Sequence, residues 1–119
     1  MNFDHLREKL EKNGFAVSVF ATGEEAAAYL NEQIDQRTVG MGGSMTIAEL
    51  GLRESLSRHN VVFSHGFTPA PPAQVQQLAA GAEIYLLSAN GIAGDTGEIL
   101  NIDGTGNRVS SSLYGHRKV

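Results

Sequence analysis

The chain of 119 residues contains no cysteine and no tryptophan. Without cysteine there is no disulfide framework, no thiolate-held zinc or iron–sulfur cluster and no cysteine nucleophile. Basic runs are missing too. Nine Lys and Arg stand against thirteen Asp and Glu, for a net charge of −4. This balance argues against a general DNA or RNA binder. No apolar stretch approaches the ~18 residues needed to span a bilayer, so neither a nucleic-acid nor a membrane partner is expected. Met1 to Gly14 carries Asp4, Arg7, Glu8, Lys9, Glu11 and Lys12 in place of the apolar core of a signal peptide. The expected location is cytoplasmic. What is present is an apolar fraction of 41%, too high for a disordered chain, and a length that suggests one domain. Glycine is in excess, with 14 residues against an average usage of about 7%.

Residues 2–13 predict an amphipathic helix with Phe3, Leu6 and Leu10 on one face and Gly14 beyond its end. Phe15 to Phe20 is a β-rich run of strand length. Thr22 and Glu25 form a capping box for a helix through Gln33. Thr38 to Met41 predicts a strand that runs into Gly42, Gly43 and Ser44. Thr46 and Glu49 form a second capping box, opening a helix to Arg58. Val61 to Ser64 is the next strand. Pro69, Pro71 and Pro72 mark a loop, with Pro72 at a first helical position, and helix 72–80 ends at Gly81. Glu83 to Ser88 is expected to be the most buried strand. Glu98 to Ile102 is a further strand, and a helix runs from Asn107 to Tyr114 before Gly115. Strands alternating with helices predict an α/β fold around a mostly parallel sheet flanked by helices. Two short apolar pieces around Gly94-Asp95-Thr96-Gly97 predict an inserted β-hairpin.

Ten of the glycines fall in two windows, residues 40–51 and 91–115. Each window has the order strand, small-residue turn, hydroxyl residue, helix. Glycine permits close backbone approach, and a helix N-terminus offers unpaired N–H groups and a positive dipole end. Such loops lie at the carboxyl ends of strands, where open α/β sheets bind ligands. The two loops therefore predict a cradle for a small anionic ligand, phosphate or carboxylate. Neither loop fits the P-loop or the dinucleotide fingerprint.

Gly42-Gly43-Ser44-Met45-Thr46, followed by Glu49-Leu50-Gly51-Leu52, resembles the GGS-x-T…E-x-G-L segment of the LUD domain family, which includes the LutC and YkgG-like proteins. Ser88-Ala89-Asn90-Gly91-Ile92 is similar to a second family segment. Gly97 to Val109 closely resembles the G-x-x-x-N-I-D-G-x-G-N-R-V signature. The resemblance covers residues 8–119. It implies a NagB/RpiA/CoA-transferase-like fold and a LutC-like component of L-lactate utilisation, in which lactate is oxidised to pyruvate. It also implies iron–sulfur partner subunits of the LutA/LutB kind, with no iron–sulfur cluster in this chain and any other cofactor unknown. Enzymes of the same implied fold, a sugar-phosphate isomerase or a CoA transferase, are an alternative, as is a non-enzymatic assembly module.

The residues divide accordingly. The expected ligand contacts are Gly42, Gly43, Ser44, Thr46, Asn90, Gly104, Thr105, Gly106, Asn107 and Arg108. Asp103 is a candidate general base, with helix capping as its structural role. Glu49 is the other candidate acid or base, although the capping box accounts for it. Thr46 is expected to be the helix cap, which makes Ser44 the better ligand contact. Arg108 has the fork to grip an anion. Asn90 is suited to ligand or loop–loop hydrogen bonding. His5, His59, His65 and His116 lack metal-ligand spacing, so no metal is expected. Ser110-Ser111-Ser112 reads as a small helix face packed on the sheet.

Family members continue beyond a segment such as His116-Arg117-Lys118-Val119 into an apolar strand. The chain is thus expected to be a short or truncated member, a single domain with its C-terminal strand missing. An open sheet edge invites pairing with another chain, which predicts a homo-oligomer. Light scattering at micromolar concentration should give a multiple of the chain mass; a monomeric mass contradicts the expectation.

Overall fold

The computed structural model describes residues 3–119; residue 2, the expected start of the first helix, lies outside them. In chain order the elements are α1 (Asp4–Lys12), α2 (Gly23–Gln33), β1 (Thr38–Met41), α3 (Met45–Glu49), α4 (Leu52–Ser57), β2 (Val61–Ser64) and α5 (Pro72–Ala80). They continue as β3 (Ile84–Leu86), β4 (Gly91–Ile92), β5 (Ile99–Leu100) and α6 (Asn107–Leu113). Three strands form a parallel sheet in the order β2-β1-β3, and β4 and β5 form the expected antiparallel hairpin. The fold is α/β, as the alternation of strands and helices predicts.

Side-chain alternation along the sheet separates two layers. Val39 and Met41 of β1 face a core with Ile34, Ile47, Leu52, Leu56 and Val62, against which α2, α3 and α4 pack. Gly40 faces the other side, beneath α5. A Cβ at Gly40 would lie 2.5 Å from the Ala79 carbonyl oxygen and 3.0 Å from two further backbone atoms of Ala79. Only glycine lets the helix backbone approach this closely. Val75, Ala79, Ala82 and Tyr85 are buried on this second face.

Four expectations are corrected. Phe15 to Phe20 is not a strand; it runs as irregular, largely exposed chain beside α1. Its β-branched and aromatic residues line a groove with Phe3, Leu6 and Leu10. The described residues provide no neighbouring strand, and β-propensity without a ladder partner does not make a strand. The helix expected over 46–58 is two helices, because Gly51 takes the left-handed conformation at φ +65° between them. The cap of the first is Ser44 and not Thr46: the Ser44 hydroxyl accepts from the Ile47 amide at 3.3 Å. The most enclosed strand is the central β1, whereas β3 buries only Tyr85 fully.

The other boundaries follow their local chemistry. Thr22 Oγ1 accepts from the Glu25 amide at 3.2 Å, and the Glu25 carboxylate accepts from the Ala21 amide, one residue upstream of the expected partner. Pro71 and Pro72 start α5. Lys118 bridges in parallel to Ile84, on the side of β3 away from β1.

Gly40→Ala is expected to cost about 1–3 kcal/mol, the range for overpacking a close-packed site. Denaturant unfolding would show this as a lower midpoint with an unchanged slope. A midpoint equal to wild type would contradict the close approach of α5.

Candidate functional site

The chain passes from β1 through α3 and α4 to β2, then crosses under α5 to β3 on the far side of β1. The direction of winding therefore reverses between β1 and β3, the position where open α/β sheets form a ligand crevice at their carboxyl ends. Gly42 to Ser44 leave β1 here, and Ser88 follows β3. The Ser44 and Ser88 hydroxyls share a 2.9 Å hydrogen bond across the gap.

Ser44 is 4% exposed and already serves the Ile47 amide and Ser88. It ties the first loop together. Thr46 and Glu49 are exposed. Glu49 lies in a separate cleft with Thr22, Gly23, Glu24 and Leu50. It shares no lining with the cavity beside the second loop.

The second loop carries its own anion. One oxygen of Asp103 accepts from the Arg108 amide at 2.6 Å and the Val109 amide at 3.3 Å. The carboxylate thus fills the N-terminus of α6, where an external anion was expected to bind. Burial alone would raise the Asp103 pKa. The amides of Arg108, Val109 and Thr105 and the Arg108 guanidinium outweigh it and hold the group below its ordinary value. The Asp103 side chain is 7% exposed. The Arg108 guanidinium donates to the Ile102 carbonyl at 3.0 Å and lies 3.9 Å from Asp103.

The remaining loop residues hold the loop's shape. Thr105 donates to the Asn107 side-chain oxygen at 2.8 Å. Asn90 accepts from the Ile102 amide at 2.9 Å, joining the hairpin to the signature loop. The two glycine-rich loops do meet. A Cβ at Gly42 would lie 2.9 Å from Arg108 Cγ and 3.2 Å from the Tyr85 hydroxyl.

Between the loops and α5 lies a cavity of about 230 Å³. Met41, Gly42, Gly43, Thr105 and Asn107 form its loop side. Val75, Gln76, Ala79 and Ala80 form the helix side, and Tyr85, Ser110 and Ser111 line the rest with His65. Thr46, Asn90, Gly104, Gly106, Arg108, Asp103 and Glu49 are not in this wall. The Tyr85 residue is 1% exposed, and its hydroxyl has no hydrogen-bond partner among the described residues. Burial pushes the phenol pKa up and the Asp103 carboxylate adds to this, while the Ser111 hydroxyl, close by but outside hydrogen-bond geometry, and the Arg108 guanidinium act in the opposite direction. Most buried polar groups are paired, so the unpaired Tyr85 hydroxyl, in a residue that lines the cavity, is the candidate ligand contact here.

Tyr85 escaped the reading of the sequence because it sits inside an apolar strand. Alternation does carry a signal: Tyr85 points away from the face shared by Ile84 and Leu86. Ser111 was expected only to pack, and His116 was noted only for lacking metal-ligand spacing. Both its ring nitrogens are instead engaged, one with Ser111 and one with the Ala82 carbonyl. No group of three or more acidic or histidine side chains gathers to hold a metal among the described residues. No helix there is long and apolar enough to cross a membrane.

A doubly wound parallel sheet with a mainly apolar cavity at its switch point defines the class of α/β protein. The LUD domain matches residues 3–119, and the chain belongs to the LUD domain family. No curated protein and no solved structure matches it.

The Asp103 cap has a pH signature. A carboxylate with a lowered folded-state pKa stabilises the fold above its unfolded value, and that contribution is lost as pH falls through the folded value. Asp103→Asn replaces charge-assisted hydrogen bonds by neutral ones and is expected to cost about 1 kcal/mol at neutral pH. The difference from wild type should shrink below about pH 4, where carboxyls protonate. Denaturant unfolding at both pH values checks this; a difference that stays constant would contradict it.

Proposed function

We propose that the chain is a LutC-like component of L-lactate utilisation that binds a small hydroxy- or keto-carboxylate in the cavity beside Tyr85. The LUD domain is found in lactate utilisation proteins. The observation that carries the ligand reading is the unpartnered Tyr85 hydroxyl between the two glycine-rich loops. A carboxylate oxygen accepting from Tyr85 would satisfy a buried hydroxyl that has no partner among the described residues. Gly42 lets the first loop approach Arg108 and Tyr85 closely, and Thr105, Asn107 and Gln76 add polar lining. A three-carbon acid is small enough for this volume, whereas drug-sized ligands occupy sites of about 300–1,000 Å³.

On this reading the anion is held by the Tyr85 hydroxyl and not by the helix N-termini, which Ser44 and Asp103 already cap. Asp103 is poorly suited to proton transfer, since taking a proton would break two amide contacts and its pKa lies on the low side. Oxidation of lactate would pass its electrons to iron–sulfur subunits that associate with this chain. Self-association and a cytoplasmic location complete the reading.

Isothermal titration with lactate and with pyruvate tests it. Saturable binding is expected for at least one of them. Tyr85→Phe should weaken it by about 10–100-fold, the worth of one hydrogen bond to a charged group. The same variant should unfold no earlier than wild type, because its lost hydroxyl has no protein partner. No heat from either acid, or equal affinity in both proteins, would overturn the assignment.

A further inference from the structure

Behind Ser111, which lines the cavity, three groups form a chain. His116 Nδ1 lies 2.6 Å from the Ala82 carbonyl oxygen, and Nε2 lies 3.0 Å from Ser111 Oγ. A carbonyl can only accept, so Nδ1 carries the proton of the neutral ring. Nε2 is then a bare lone pair, and Ser111 must donate to it. This is the geometry of a hydroxyl activated by a neighbouring base whose tautomer a third group fixes. The imidazole also packs against the Tyr85 ring, with centroids 4.9 Å apart and the planes tilted by 38°.

The backbone explains why His116 arrives here. α6 ends at Leu113, and the chain reverses at Gly115 with φ +107°. Residues 117 and 118 then dock on β3: the Arg117 amide donates to the Glu83 carbonyl at 2.8 Å, and the Tyr85 amide donates to the Lys118 carbonyl at 3.0 Å. Ser111, 4% exposed, lines the cavity beside Tyr85.

We infer that Ser111 is a nucleophile for short-chain carboxylic esters, with His116 as its base and Tyr85 as donor to the oxyanion. Ser111 Oγ attacks the ester carbonyl carbon while its proton passes to His116 Nε2. The carbonyl oxygen becomes an oxyanion that accepts from the Tyr85 hydroxyl. When the tetrahedral intermediate collapses, the bond to the alcohol oxygen breaks and His116 returns the proton to that leaving group. A water then attacks the acyl-serine, giving its proton to His116 and then back to Ser111 Oγ, and the acid departs. The balance is ester plus water to acid plus alcohol. The inference rests on the same cavity being open to small molecules, but not on lactate or pyruvate being the ligand.

The test incubates the full chain with p-nitrophenyl acetate and follows p-nitrophenolate release together with intact and peptide masses. The expected result is release above the uncatalysed rate and one acetyl group mapped to Ser111. Ser111→Ala should lose that acetyl group, and His116→Gln should slow acylation at least tenfold while keeping the wild-type circular dichroism. Should either variant unfold, Ser111→Cys gives a second reading, because it creates the only thiol in the chain. Its alkylation by iodoacetamide should then be at least tenfold faster than in urea-unfolded protein. Release no faster than the uncatalysed rate, release undiminished in folded Ser111→Ala, full-rate acylation in folded His116→Gln, or a Cys variant no faster than its unfolded form would each overturn the inference. Ligand binding is read by titration and acylation by mass, so each can fail without the other.

Discussion

At Gly40 the backbone of α5 rests on the backbone of β1 with no side chain between them. The Ala79 carbonyl occupies the space a Cβ would fill. Much of the second face follows from this contact. It brings Val75, Gln76, Ala79 and Ala80 down toward the sheet, where they form the helix side of the cavity. It also leaves room under the end of α5 for Tyr85 and for the turn that brings back His116. On the opposite face the same strand buries Val39 and Met41 in the larger core. One strand of alternating large and absent side chains therefore serves both layers.

The fold was legible where local chemistry decides structure. The boundaries of α5, the strand before the first glycine loop, the hairpin and the helix after the signature all follow from caps, prolines and apolar alternation. Phe15 to Phe20 was misread because strand formation depends on a partner that sequence does not display. Ser44 and Thr46 are both capable caps two residues apart, and tertiary contact with Ser88 favours the first.

The site was legible in outline only. Two glycine-rich loops meeting at one sheet edge is a placement that the strand-loop-helix order already implies. What each polar group does there was not. Asp103 and the first turn of α6 form an anion and its cradle, and the sequence supplies both partners within six residues. An internal carboxylate therefore stands where a ligand was expected. Ser111 and His116 are five residues apart, but the group that orients the imidazole is a backbone carbonyl, which no residue pattern reveals. The chemistry of the cavity consequently shifts from helix amides to hydroxyls.

The two loops and the Tyr85 wall are proposed to form one binding site. Amide-resolved NMR titration of the full chain with lactate and pyruvate tests this most directly. Saturable shifts are expected, concentrated at Gly42, Gly43, Thr105, Asn107 and the Ser110–Ser111 pair. Shifts confined to the groove between α1 and residues 17–20, or none at all at saturating acid, would contradict it.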